Sequence, residues 1–176
     1  FDPRHGLADV VPEPYRGGYA PNPALAQQLA AAVCKELRSR GAPAPSDGPS
    51  DGTGAGTGSP PRIVLLIDDY DVLAASANQP LGAFVPYLAG GRDLGLHVVL
   101  ARRVAGASRG LYEPFTLGVR EAGCLALLMS GDRSEGQLFA GVRPTTLPVG
   151  RAQYVRPGEP ARIVQTAYLN TREEGS

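Results

Sequence analysis

Ile63-Val64-Leu65-Leu66-Ile67-Asp68-Asp69 is the stretch on which the fold turns. A strand with one face in water alternates apolar and polar residues. Five aliphatic residues in a row instead predict a strand buried on both faces of a parallel sheet. Two carboxylates follow at its carboxyl end, the end over which open parallel sheets bind their ligands. The glycine-rich phosphate loop that usually accompanies such a strand, Gly-x-x-x-x-Gly-Lys-Ser/Thr, does not occur. The single lysine is Lys35, and Val33 and Cys34 precede it where that loop needs glycine.

Working outward, Arg62 opens a folded part. Asp71-Val72-Leu73 and a polar turn at Asn78-Gln79-Pro80 lead to a predicted helix from Leu81 to Leu88 that stops at Gly90-Gly91. Leu96 to Ala101 is a second apolar strand, and Leu111 to Arg120 is helical with an irregularity at Pro114. Leu125 to Met129 is a third strand, followed by a helical Ser134 to Phe139. Alternation in 150–155 and 162–168 predicts a closing hairpin. Strands alternating with short helices give an α/β fold with a parallel sheet.

Upstream, residues 1–21 carry Pro3, Pro12, Pro14 and Pro21 with Gly17-Gly18 and read as extended. Asn22-Pro23 places an N-cap before a proline at the first helical position. Leu25, Leu29, Val33 and Leu37 then mark an amphipathic helix closed by Gly41. Residues 42–61 hold no aliphatic side chain larger than alanine, and so read as a flexible linker unable to offset ordering entropy. The organisation is thus 1–41, a linker over 42–61, and a folded part over 62–176.

Formal net charge is zero, which excludes a general polyanion-binding field. Sixteen of the seventeen basic residues are arginine, a bias shared by the products of GC-rich genomes. Two cysteines do not form a disulfide framework, and two histidines without clustered spacing give no zinc site. No apolar stretch reaches membrane-spanning length and no signal peptide opens the chain, which predicts a soluble, cytosolic location. A start at Phe1 rather than Met fits a chain that begins inside a longer polypeptide.

Several motifs compete for the chemistry. Gly106-Ala107-Ser108-Arg109-Gly110 fits a nucleophile elbow, but that hydrolase needs its histidine after the serine, and His5 and His97 both precede it. Asp69-Tyr70-Asp71-Val72 fits the Asp-x-Asp of haloacid-dehalogenase-like phosphatases, which also need a later lysine; none follows residue 35. Gly52, Gly54, Gly56 and Gly58 lack dinucleotide-loop spacing, and Pro60-Pro61 stand where a helix should begin. Asp68-Asp69 can simply start a turn. They also match a Walker B element, in which the first acid holds Mg²⁺ and the second polarises the attacking water.

From Ile63 onward the chain resembles the FtsK/SpoIIIE motor ATPases, and most closely the C-terminal ATPase module of the type VII secretion protein EccC. The likeness is carried by VLLIDDYDVLA (64–74), GRDLGLHVVLARR (91–103), LYEP (111–114), LLMSGDRSEG (127–136) and LPVGRAQYV (147–155). GGYAPNP (17–23) resembles the segment before Walker B. The resemblance implies a RecA-like P-loop ATPase fold, here lacking the Walker A strand and loop, with ATP and Mg²⁺ as cofactors. By position, Asp68 would hold Mg²⁺, and Asp69 would stand where active motors carry a catalytic glutamate. Arg102 and Arg103 would occupy the sensor position, and Arg151 the loop near the interface with a neighbouring module. The implied setting is the inner face of the cell membrane, reached only through the larger secretion complex. Implied partners are other ATPase modules and a WXG100-type secreted substrate. The alternatives are a DNA translocase of the FtsK branch, which zero net charge disfavours, and a non-catalytic pseudo-ATPase interaction domain.

Overall fold

A computed structural model describes residues 1–41 and 61–167. The expected linker, apart from Pro61, therefore lies outside the described residues. The chain divides into two compact units, Phe1–Ala101 and Arg102–Ser176.

In the first unit, α1 spans Pro23–Gly41 and begins as its residue types require, with Asn22 Oδ1 accepting the N–H of Leu25 at 3.0 Å. Its buried face differs from the expected one. Ala26, Ala30, Cys34 and Leu37 are buried, whereas Leu25 is exposed and Leu29 and Val33 are half-buried. Small side chains let the helix backbone come close to its neighbour: the Cys34 thiol reaches the Ala83 carbonyl at 3.3 Å.

Strand β1 (Ile63–Ile67) pairs in parallel with β2 (Leu96–Leu100), Ile63 opposite Leu96 and Ile67 opposite Leu100. Leu65 and Ile67 are buried, and Val64 is half exposed on the other face. On the far edge of β1 the backbone of Phe1 continues the parallel pattern, donating to Leu66 and accepting from Asp68. Between β1 and β2 lie α2 (Tyr70–Ala74), a 3-10 turn (Pro80–Phe84) and α3 (Val85–Leu88). The helix predicted over 81–88 is thus split. Pro80 starts a tight turn and Pro86 falls near the start of the α-helical part, where a missing N–H is tolerated. Phe84 is fully buried and meets the Phe1 ring edge-on at 6.0 Å.

In the second unit, the helix predicted from Leu111 to Arg120 forms as α5 (Pro114–Glu121), because Pro114 begins a helix rather than interrupting one, and a separate short α4 (Ala107–Gly110) precedes it. Strand β3 (Ala126–Met129) pairs antiparallel with β4 (Arg151–Val155), which pairs antiparallel with β5 (Arg162–Gln165). The third apolar strand therefore belongs with the hairpin. The helix expected over 134–139 is only a 3-10 turn, Arg133–Glu135, since Gly136 takes φ +77° and ends it. Ala107, Leu128 and Leu138 form the buried cluster, with Val104, Leu111 and Val142 packed against it.

Candidate functional site

β1 delivers Asp68 and Asp69 at its carboxyl end, as the alternation-free run predicted. Asp68 Oδ1 accepts the N–H of Asp69 at 2.9 Å. Asp69 then turns the chain into α2 through a left-handed conformation, φ 44° and ψ 48°. Only glycine enters that region freely, and Asp and Asn tolerate it better than longer side chains. Asp69→Gly is therefore expected to raise stability by about 1 kcal/mol, and Asp69→Glu to lower it. Urea denaturation of the two variants checks this.

A second structure meets the acids from the amino-terminal segment, which was expected to be merely extended. Asp2 is fully buried. Its Oδ1 accepts the N–H of Gly6 at 2.9 Å, and its Oδ2 accepts the N–H of Leu7 at 2.8 Å and the Tyr19 hydroxyl at 3.0 Å. With its O–H donated to Asp2, the Tyr19 oxygen is left as acceptor toward His5 Nδ1, 3.1 Å away. Burial pushes the Asp2 carboxyl up, but the Leu7 N–H, the Tyr19 hydroxyl and the Gly6 N–H together outweigh it and hold the group below the ordinary value. Burial and the same bond to Asp2 push the Tyr19 phenol upward. The turn passes close to the strand-end acids: a side chain at Gly6 would place its Cβ 3.1 Å from Asp68 Oδ2. Arg4 Nε lies 3.6 Å from Asp69 Oδ2. The sequence signal for this turn was Asp2-Pro3 followed by His5-Gly6, a turn-forming run.

The three arginines of the expected site lie in the second unit. Arg102 donates from Nε to the Arg103 carbonyl and from Nη2 to the Gly106 carbonyl, both at 3.3 Å, so it braces its own loop. The same loop is held from the other side by Glu135, whose carboxylate accepts the N–H groups of Gly106 at 2.9 Å and Ser108 at 3.4 Å. Those two bonds hold the Glu135 carboxyl low, and the Ser134 N–H does the same for Asp132. Arg103 is exposed. Arg151 is exposed at the start of β4, opposite Gln165, after a Gly150 with φ +76°. Burial pushes the Cys34 and Cys124 thiols up, which disfavours a nucleophilic thiolate at either.

Among the described residues no group of three or more His, Cys, Asp or Glu could hold a metal on its own. Mg²⁺ does not demand such a cage. It is commonly held by one or two carboxylates together with substrate phosphates and water. Asp68, with one oxygen engaged by a single backbone N–H, fits that limited part. An apolar groove of about 600 Å³ in the same unit, lined by Leu29, Val33, Ile63, Val64 and Leu65, does not include either strand-end acid. Among the described residues no helix is long and apolar enough to cross a membrane.

No family model matches the chain. It is 40% identical over 167 residues to the ESX-4 secretion system protein EccC4 of Mycobacterium tuberculosis, covering 95% of this chain and 13% of that protein. It is 34% identical over 168 residues to the ESX secretion system protein EccC of Thermomonospora curvata, again 13% of the relative. The fold matches the cytoplasmic domain of the Thermomonospora curvata type VII secretion ATPase EccC with a TM-score of 0.82 and 33% identity, covering 97% of this chain and 20% of that one. It also matches ATPases 2 and 3 of that EccC in complex with a signal sequence peptide, TM-score 0.81 and 34% identity, over 97% of this chain and 30% of that one. The chain thus spans about an eighth of the length of these two curated relatives. Across nearly its whole length it is homologous to a segment of EccC-type secretion ATPases, and its α/β architecture is that of their ATPase domains.

Proposed function

We propose that this chain, homologous to part of an EccC-type ATPase, serves as a module of a type VII secretion motor that couples nucleotide binding to protein export at the cytoplasmic face of the membrane. The observation that carries the reading is the acid pair at the end of the parallel strand β1, set in a chain matched over 95% of its length. Asp68 is the residue that would hold Mg²⁺, which when bound neutralises phosphate charge. Asp69 would orient the attacking water. Arg102, Arg103 and Arg151 are proposed to serve nucleotide sensing and contact with a neighbouring module, and Arg102 would do so through the loop it braces. The sequence holds no lysine and glycine cradle for the β- and γ-phosphates, so this chain alone is expected to show Mg²⁺-ATP hydrolysis at buffer background. Turnover abolished by Asp68→Ala would overturn that expectation.

The proposed cargo is a WXG100-type substrate recognised through a signal sequence; what supports recognition of that kind is the solved relative in complex with a signal sequence peptide. Binding of a labelled signal peptide and of duplex DNA, each at low and physiological salt, tests the partner. The secretion reading expects peptide binding with weak salt dependence. DNA binding that falls steeply with salt, with no response to peptide, would favour a translocase instead.

A further inference from the structure

The turn from Asp2 to Leu7 is braced far more than a surface turn needs. Its Asp2 carboxylate takes three donors, Asp2 N–H donates to the Ala20 carbonyl at 3.0 Å, and His5 N–H donates to the Asp2 carbonyl at 3.2 Å. It is also tied to the end of β1, where Asp68 N–H donates to the Phe1 carbonyl at 2.9 Å. Gly6 leaves room for Asp68 Oδ2. Arg4 is the charged side chain that this turn presents to Asp69.

Asp69 shows the matching departure. It stands at the N-cap of α2, where aspartate is among the preferred residues because its oxygen can accept a first-turn N–H. Its side chain makes no capping bond, and its backbone is left-handed. Both choices forgo stability, and together they leave the carboxylate beside the Arg4 guanidinium. Strain and unused stabilisation of this kind gather where geometry serves function.

We propose that Arg4 is a positioning residue: held by the Asp2 turn, its guanidinium sets the direction of the Asp69 carboxylate. This rests on Asp69 being the water-orienting acid, which gives the direction its purpose, while the contact itself does not depend on that role. Exposed ion pairs add little to folding, so Arg4 can be removed without losing the structure.

The test uses the full chain, labelled with ¹³C and ¹⁵N, and reads the Asp69 χ1 rotamer from three-bond N–Cγ and C′–Cγ couplings. Wild type should show one dominant rotamer. Arg4→Ala should cut the ratio of that rotamer to the others about twofold, the population change expected from losing a largely exposed ion pair. Arg4→Lys should restore most of it, while the Asp68 rotamer and the thermal midpoint stay unchanged. An Asp69 rotamer unmoved by Arg4→Ala, or already averaged in wild type, overturns the proposal. So does a fall in thermal midpoint that Arg4→Lys does not rescue, because that marks a merely structural contact. Failure of the motor reading would show separately, as absent peptide binding with the rotamer result intact.

Discussion

Asp2→Ala is expected to destabilise the chain by about 3 kcal/mol, because a fully buried carboxylate bonded to three donors is removed and the donors are left behind. Bonds to a charged group are each worth about 1.5–3 kcal/mol, and water reaching the more open Gly6 side recovers part of that loss. Asp2→Asn should lose less, since one amide oxygen can still accept while the amide nitrogen must face a donor. Tyr19→Phe removes one donor and should have a smaller effect. The pH dependence follows from the lowered Asp2 pKa. A depressed carboxyl contributes stability that is present above its unfolded value, near 3.9, and is lost as pH falls through the lower folded value. Denaturant titrations at neutral pH and below about pH 4 should therefore show the wild-type advantage over Asp2→Ala shrinking in acid. An advantage that grows in acid would mean Asp2 is not bound as a carboxylate.

Gly131→Ala should cost about 2 kcal/mol, at the end of β3 in the second unit. An added Cβ would collide with Val104 Cγ1, and would lie 3.0 Å from Val104 Cβ and 3.2 Å from Pro144 Cβ. Val104 has a stiff χ1 and Pro144 a closed ring, so neither can swing aside; the backbone must yield. Gly131 N–H also donates to the Thr145 carbonyl at 3.2 Å, and that bond would be strained by the shift. Gly18→Ala is the control. Its Cβ would meet a Leu29 methyl at the end of a side chain that can rotate away, so the loss should be smaller. A thermal or urea comparison of the two variants decides it, and equal effects would show that the strand end is looser than its packing implies.

Arg102 of the second unit gives an intermediate case. A Cβ at Gly110 would collide with the Arg102 guanidinium, whose bonds to the Arg103 and Gly106 carbonyls brace the loop. The guanidinium can move, but only by giving up those bonds.

Local chemistry was enough for several elements. Five aliphatic residues before two acids specify β1 and place Asp68 and Asp69 at its end, although burial on both faces, which the run predicted, is met only on the side of Leu65 and Ile67, with Val64 half exposed. Asn22-Pro23 sets the start of α1 through a bond within four residues. Gly150, Pro157, Gly158 and Pro160 bound the strands of the hairpin. What sequence alone left open depends on partners distant along the chain. The helix α1 buries its alanine and cysteine stripe because the Ala83 carbonyl comes close there, although leucine periodicity pointed to an adjoining face. β3 joins the hairpin by antiparallel registry with β4, and an apolar run carries no mark of which strand it will pair with. Asp2 becomes a buried anchor only because Gly6, Leu7 and Tyr19 converge on it, and Asp69 meets Arg4 across 65 residues of chain. A residue's type sets which bonds it can make; the folded chain decides which partner is within reach.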